Sequence, residues 1–324
     1  MTKTFHTLFI IVLATLASAV SQALFAQTSA DSVSAQGLIT VNAASLRHSP
    51  SHASELETQV LLGTPVEILG SDDGWLRVRV PDGYEAYAHP SHVALKTEAE
   101  MTAWRSAPRL ILTAVAPQTI IADTLTFGPR NSVAPATLCC IFEGTKQPGA
   151  LYAEVRLPDG RSGFLPAALL EPFDLWAQKD ATPERILSTA YSLLGTPYLW
   201  GGVSPAGVDC SGLTQLSYLS AGLLLPRNAS AQALVGEPIT LPDAAADLLP
   251  ADLIFFTGTD SPRITHVALY DRDQTFIHSL GTVHINSLSP SSPLHLPRNA
   301  VSATRPLSLP ALRLSRSPRY FNQQ

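Results

Sequence analysis

Two hydrophobic rhythms divide the chain. Between about residues 37 and 171 apolar and polar positions alternate, as in Val66-Glu67-Ile68-Leu69 and Trp75-Leu76-Arg77-Val78-Arg79-Val80. This is the period of half-buried strands. Pro81-Asp82-Gly83 then marks a turn, because proline presets φ and glycine accepts positive φ. The phrase returns: Val78-Arg79-Val80-Pro81-Asp82-Gly83 is answered by Val155-Arg156-Leu157-Pro158-Asp159-Gly160. An aromatic follows each at the fourth residue past its glycine, Tyr87 and Phe164. One β module is therefore expected twice. A helical connector at residues 96–107 is expected between them, with Thr97 and Glu100 spaced as a capping box.

From Thr182 the period lengthens. Ile186, Leu187, Ala190, Leu193 and Leu194 follow helical spacing. Thr182-Pro183-Glu184 supplies N-cap, first-turn proline and an acid at the positive end, and Gly195 is the stop signal. After a Gly201-Gly202 turn, Leu213, Leu216, Leu219 and Leu223 predict a second helix from Cys210 to about Leu224. Strands are predicted over 252–256, 264–270 and 275–279. The fold class read from these rhythms is α+β.

The first 26 residues read differently. Lys3, the apolar run Leu8–Ala14 and small residues at Ala17, Ser18, Ala19, Ala23 and Ala26 have the layout of a secretory signal peptide. Cleavage after Ala26 is expected, with Ala19 and Ala23 as rivals and an uncleaved anchor as the alternative reading. The apolar run is short for a transmembrane span. The mature protein is expected outside the cytoplasm, periplasmic or extracellular, with no stable membrane span and as a monomer. The formal charge of −5 offers no basic face for nucleic acid. The three cysteines make no disulfide scaffold. Cys139 and Cys140, inside an apolar run, are expected to pack in a core.

That isolates Cys210. It opens a helix after a glycine turn, where unpaired amides and the helix dipole favour a thiolate and should lower its pKa. His266 and His278 lie 12 residues apart on strands of one expected hairpin. Side by side on one sheet face, with the Cys210 helix packed there, His266 is a general base or ion-pair partner and His278 orients it. His89, His92, His284 and His295 lack ligand spacing, and neither metal nor cofactor is expected.

The phrases Gly195-Thr196-Pro197-Tyr198-Leu199-Trp200-Gly201-Gly202, Val208-Asp209-Cys210-Ser211-Gly212-Leu213, Asp252–Phe256, Thr265-His266-Val267-Ala268-Leu269-Tyr270 and Ile277-His278-Ser279 stand in the order of an NlpC/P60 cysteine peptidase. Residues 178–306 resemble that papain-like family. Residues 37–95 and 108–171 resemble bacterial SH3-like (SH3b) domains, the first more closely, with Ser45-Leu46-Arg47 and Asp73-Gly74-Trp75 in place. Residues 307–324 are read as an irregular, solvated tail.

The combination resembles γ-D-glutamyl-L-diamino acid endopeptidases, which cut peptidoglycan stem peptides between D-Glu and meso-diaminopimelate or lysine. The resemblance implies Cys210, His266 and His278 as the catalytic set. It implies an oxyanion region lined by the Cys210 amide and the Tyr198 hydroxyl, and a cleft walled by Trp200. Asp209 and Ser211 are implied as substrate contacts. A free N-terminal L-Ala amine is expected to meet an acid and a tyrosine of the first barrel, Glu55 and Tyr84, with Tyr87 as second choice. Behind them comes Arg227-Asn228, where Asn228 replaces the usual aspartate. Ala251 likewise replaces the usual glycine before Asp252. The expected role is recycling of L-Ala-γ-D-Glu-diamino acid fragments. The alternatives are remodelling of intact peptidoglycan, a non-catalytic wall-binding protein, or an acyltransferase.

Overall fold

The computed structural model describes residues 35–126, 128–241, 247–258 and 261–322. The expected signal segment, residues 1–26, lies outside the described residues. Among the described residues no helix is long and apolar enough to cross a membrane.

The alternating segments form two SH3-like modules. The first contains β1 (Ala35–Ile39), β2 (Ala43–Arg47), β3 (Leu56–Leu61), β4 (Pro65–Asp72), β5 (Trp75–Arg79), β6 (Glu85–Ala88) and β7 (Val93–Lys96). Its strand order is β3-β2-β6-β5-β4-β1-β7. The second contains β8 (Arg109–Leu112), β9 (Gln118–Ile121), β10 (Ser132–Ala136), β11 (Ile141–Glu143), β12 (Tyr152–Arg156), β13 (Ser162–Pro166) and β14 (Leu170–Pro172). Its order, β10-β9-β13-β12-β11-β8-β14, is the first order repeated seven strands later. The repeated Pro-Asp-Gly phrase therefore marks the same turn in one topology used twice. Between the modules runs α1 (Glu98–Ser106), whose Thr97 and Glu100 form the reciprocal capping box that their spacing predicts.

The last module begins with α2 (Phe173–Gln178) and α3 (Pro183–Ser192), followed by the short hairpin β15 (Val203–Ser204) and β16 (Gly207–Val208). Next come α4 (Cys210–Ser220) and the single turn α5 (Ala229–Gln232). The sheet comprises β17 (Glu237–Thr240), β18 (Leu253–Gly258), β19 (Ser261–Tyr270), β20 (Thr275–Leu280), β21 (Thr282–Ser287) and β22 (Ala300–Arg305), in the order β17-β22-β18-β19-β20-β21.

Helix α4 stops before the expected Leu224. Gly222 adopts φ +82°, the Gly222 amide bonds the Leu219 carbonyl and the Leu223 amide bonds the Tyr218 carbonyl. This is a Schellman stop, which a glycine past the C-cap permits. Leu223 still packs, but from the following turn.

Leu213 and Leu216 of α4 bury against Phe255, Val267, Leu269 and Ile277. The same core continues into Leu38 and Leu61 of the first module and Ile111, Leu138 and Ile141 of the second. Each fully buried side chain of this kind contributes roughly 1.5–3 kcal/mol, so shared packing fixes both modules against the third. The other sheet face buries Ile254, Phe256, Ala268, Tyr270 and Phe276 in a separate cluster.

Cys139 and Cys140 are buried, and burial pushes the Cys140 thiol up to about 12 and Cys139 further. Residues 307–322, expected to be an irregular, solvated tail, contain short 3-10 turns and are anchored to the body by buried side chains. Leu314 and Tyr320 are buried, and Leu224 and Leu312 join by a backbone bond. The Arg109 guanidinium lies between the rings of Trp104, Phe173 and Phe321 and donates to the Tyr320 carbonyl at 2.7 Å. Arg319 pairs with Glu67 at 3.3 Å. This segment straps the first module to the third. Its aromatics act as anchors at spacings that carry no helical or strand period.

Candidate active site

The turn before Cys210 is built from close backbone approaches. Gly201 adopts φ +77°, and a Cβ there would meet Leu56 at under 3 Å. A Cβ on Gly212 would lie 2.0 Å from the Gly202 carbonyl oxygen, so only glycine lets α4 start against this turn. Asp209 caps the helix: its Oδ1 accepts from the Gly212 amide at 2.7 Å and its Oδ2 from the Gly201 amide at 2.9 Å. Arg227 closes the same carboxylate in a two-pronged pair, with Nη1 to Oδ1 at 3.1 Å and Nη2 to Oδ2. Arg227 Nη1 also donates to Ser211 Oγ at 2.9 Å. Asp209, Ser211 and Arg227 are all buried. Their polar atoms are engaged within the protein, so the structure gives them an internal role rather than the substrate contact expected from the sequence.

Strands β19 and β20 pair only at Leu269–Ile277 and Tyr270–Phe276. Beyond that point the ladder opens and the Cys210 turn enters. Ser279 Oγ donates to the Val208 carbonyl at 2.8 Å, and the amides of Val267 and Ser211 point at the Cys210 sulfur. His266 and His278 do not lie on the face that α4 covers. They alternate with Val267 and Ile277, which pack in the α4 core, and their rings meet Phe256 (tilted) and Phe276 (edge-on) on the other side. The Cys210 turn meets the sheet where these strands part rather than across a flat face.

The two imidazoles are adjacent: His266 Nε2 lies 2.8 Å from His278 Nδ1. His278 Nε2 lies 2.8 Å from Asn286 Oδ1, and Asn286 Nδ2 donates to the Leu294 carbonyl at 2.8 Å. This sequence assigns the protons. Because the Asn286 amide gives its N–H to a carbonyl, its oxygen accepts from His278. Neutral His278 then accepts from His266, and neutral His266 keeps an unprotonated Nδ1. Asn286 was not among the residues predicted from sequence. It lies on β21, and only its pairing next to the His278–His284 step of the ladder brings it there.

Both imidazoles are held neutral. Burial, with the charges of His278, Arg298 and His284, pushes His266 down to about 3. Burial also takes His278 down to about 4, against the bond to Asn286. The Cys210 thiol is raised by burial first and by the Asp209 charge second; the Val267 and Ser211 amides and Arg227 oppose this without winning. The expected depression of the thiol is therefore reversed, because a nearly buried sulfur beside a carboxylate loses more to desolvation than two amides return. The resting pair is thiol and neutral imidazole.

Tyr198 is half-buried beside Cys210, and burial together with the Cys210 and Asp209 charges raises it to about 12. Trp200 stands 59 % exposed at the rim. On the first module, Tyr84 donates to Glu57 and also bonds the exposed Asn228 side chain. Burial and Glu57 raise Tyr84 to about 12. Glu55 is exposed, and it is Glu57, two residues on, that meets both Tyr84 and His48, the latter at 2.7 Å. Tyr87 bonds Asp72 instead. The alternation along β3 puts Glu57 and Gln59 on one side of the strand, a signal that the phrase-level resemblance passed over. Among the described residues no group of three or more His, Cys, Asp or Glu is placed to hold a metal ion.

Residues 195–299 match the family described as NlpC/P60, and residues 46–93 match the bacterial dipeptidyl-peptidase SH3 domain. Residues 195–299 are thus an NlpC/P60 domain, behind a bacterial SH3 domain at residues 46–93. The chain is similar to dipeptidyl-peptidase 6 of Lysinibacillus sphaericus, with 29% identity over 78% of this chain and 91% of that one. It is similar to a γ-D-glutamyl-L-lysine dipeptidyl-peptidase of Bacillus cereus, with 28% identity over 70% of this chain and 68% of that one. A crystal structure of an NlpC/P60 family protein from Bacillus cereus superposes with TM-score 0.70 at 22% identity, covering 84% of this chain and 99% of that one, and so shares its fold.

Proposed function

We propose that this protein is an exported cysteine endopeptidase that hydrolyses the γ-D-Glu–diamino acid amide of peptidoglycan stem peptides. Fragments with a free N-terminal L-Ala are its preferred substrates, as in wall recycling, and it acts as a monomer. The observation that carries this reading is the ordered relay from Asn286 through His278 to His266, on the strands that the Cys210 turn at the start of α4 enters. The relative named for γ-D-glutamyl-L-lysine dipeptidyl-peptidase activity supports the bond class.

Each group has one task. His266 Nδ1 takes the Cys210 proton as sulfur attacks the amide carbonyl, so charge separation develops in the transition state rather than beforehand. The Cys210 amide and the Tyr198 hydroxyl stabilise the oxyanion, a kind of donor worth about 3–4 kcal/mol. The imidazolium returns its proton to the departing amine of the diamino acid. Water, deprotonated by His266, then opens the thioester and releases the D-Glu carboxylate. His278 holds the imidazole plane, and Trp200 walls the cleft.

For the L-Ala ammonium, the acid in our reading is Glu57 rather than Glu55, beside Tyr84 and Asn228. A buried ammonium needs a paired charge, so acylated or crosslinked termini bind poorly. The test is Cys210→Ala on L-Ala-γ-D-Glu-meso-diaminopimelate: cleavage vanishes while peptide binding persists. Wild type that binds the peptide and leaves the amide intact sinks the enzymatic reading.

A further inference from the structure

The first module does more around the nucleophile than border the cleft. Its strand β3 enters the foundation of the Cys210 turn through consecutive residues. Thr58 is buried, and its Oγ1 accepts from Arg227 Nε at 2.9 Å. Arg227 spends its other bonds on Asp209 and Ser211, the residues on either side of Cys210. Gln59 Oε1 accepts from the Val203 amide at 3.1 Å and from Ser204 Oγ at 3.0 Å, fixing the β15–β16 hairpin that delivers the chain to Asp209. Leu56, through its Cγ and its carbonyl, is the wall that excludes any side chain at Gly201. Without β3, the catalytic domain retains Asp209 and Arg227. The guanidinium, however, loses the acceptor that fixes its plane.

We propose that Thr58, assisted by Gln59, is a positioning residue of the reaction centre, acting from the SH3 module through Arg227 and Asp209 on the geometry of Cys210. The proposal rests on the reading of Cys210 as nucleophile. Its logic is geometric. A guanidinium donates in a fixed plane, so an acceptor at Nε sets where both Nη groups point. Those Nη groups hold the carboxylate that caps α4, and the cap fixes the first turn that presents the sulfur. Arg227 also supplies the positive charge that partly offsets Asp209 at the thiol. Losing its orientation therefore displaces the sulfur and leaves the thiol harder to ionise. Small displacements of a reacting group cost large factors in turnover.

The experiment compares Thr58→Val, which keeps shape and β-branching, with Thr58→Ser, which keeps the acceptor hydroxyl. Two readouts are used on the full-length protein: steady-state hydrolysis of L-Ala-γ-D-Glu-meso-diaminopimelate, and the pH profile of iodoacetamide labelling at Cys210, followed by peptide mass mapping. For Thr58→Val we expect kcat to fall about tenfold or more with KM within about twofold. The labelling midpoint should move to higher pH, and Thr58→Ser should restore both. A Thr58→Val protein with wild-type kcat and labelling profile overturns the proposal, as does a Ser variant as impaired as the Val variant. If Thr58→Val does not fold, Gln59→Leu carries the test. It should lower kcat and slow labelling, and a wild-type response on both counts overturns the proposal. The labelling arm needs no substrate. A wild type inactive on the peptide removes the functional reading, while the shift of the Cys210 profile in Thr58→Val still decides the positioning role.

Discussion

The two SH3-like modules share one strand order and one Pro-Asp-Gly turn, yet the turn aspartates live in opposite surroundings. In the first module Asp82 is inserted into the catalytic domain. Its Oδ2 accepts from Gln215 of α4 at 2.6 Å and its Oδ1 from the Tyr84 amide at 2.9 Å, and burial raises its pKa. In the second module Asp159 sits at the surface and bonds Arg161 at 2.8 Å. Some burial pushes Asp159 up, but Arg161 outweighs it and the carboxyl ends below its ordinary value. Strand β3 reaches the Cys210 turn from the edge of its sheet, through Thr58 and Gln59; its counterpart β10 holds the same edge position in the second sheet. The second module reaches the catalytic domain through apolar side chains such as Leu138 and Ile141. One topology thus serves two purposes, and contacts made outside the barrel decide which.

The largest effect that sharpens this contrast is in stability. Leu138→Ala empties part of the shared core and should cost about 2–5 kcal/mol, read as a fall in the denaturant midpoint. At temperatures where the variant is folded, kcat should match wild type. A fall in kcat for the folded variant would mean that the second module also shapes the reaction centre, and the contrast would fail.

Next comes Glu57→Gln, which tests the proposed amine contact. It should lower kcat/KM for free-amine tripeptide by about tenfold to hundredfold, or roughly 1.4–2.7 kcal/mol, and leave N-acetylated tripeptide nearly unchanged. Glu154→Gln, on the exposed side of β12 in the second module, should change neither. Equal losses on both substrates would make Glu57 a structural partner of Tyr84 and His48 alone.

What could be read in the sequence follows the range of the forces involved. Cys210, the turn glycines and the two histidine strands are local patterns, and the chain announces them within a few residues; the Asp209 cap appeared only in the structure. The proton relay needed Asn286, whose relevance appears only when β20 and β21 pair. The raised thiol was hidden as well: a helix start is visible in the sequence, whereas burial beside Asp209 is a property of the assembled domain. The aromatic strap of Tyr320 and Phe321 has no period to detect. Thr58 and Gln59 read as ordinary strand residues, since their partners lie more than 140 residues away in sequence.

A smaller difference should separate the two turn aspartates. Asp82→Ala strands the Gln215 and Tyr84 donors and should cost about 1–3 kcal/mol. Asp159→Ala should stay within about 0.5 kcal/mol. Similar thermal shifts for both would show that insertion into the catalytic domain adds nothing to stability.

The smallest expected effect is a matter of sign with pH. His266 and His278 have folded pKa values near 3 and 4, below the ordinary 6.5 of an unfolded histidine. The unfolded chain therefore binds more protons between those values, and the stability these residues contribute is present above pH 6.5 and lost as pH falls toward 4 and 3. Asp82 runs the other way. Its folded pKa is raised, so its contribution is present below the ordinary 3.8 and is lost as pH rises through the folded value. Urea midpoints of wild type and Asp82→Asn, followed from pH 4 to pH 8, separate the two. The variant should become relatively more stable as pH rises, while both proteins keep the same acid-side loss from the histidine pair. A wild type and variant that run parallel across the whole range would mean that Asp82 does not bear a buried charge at the interface, and the first module would dock no differently from the second in its electrostatics.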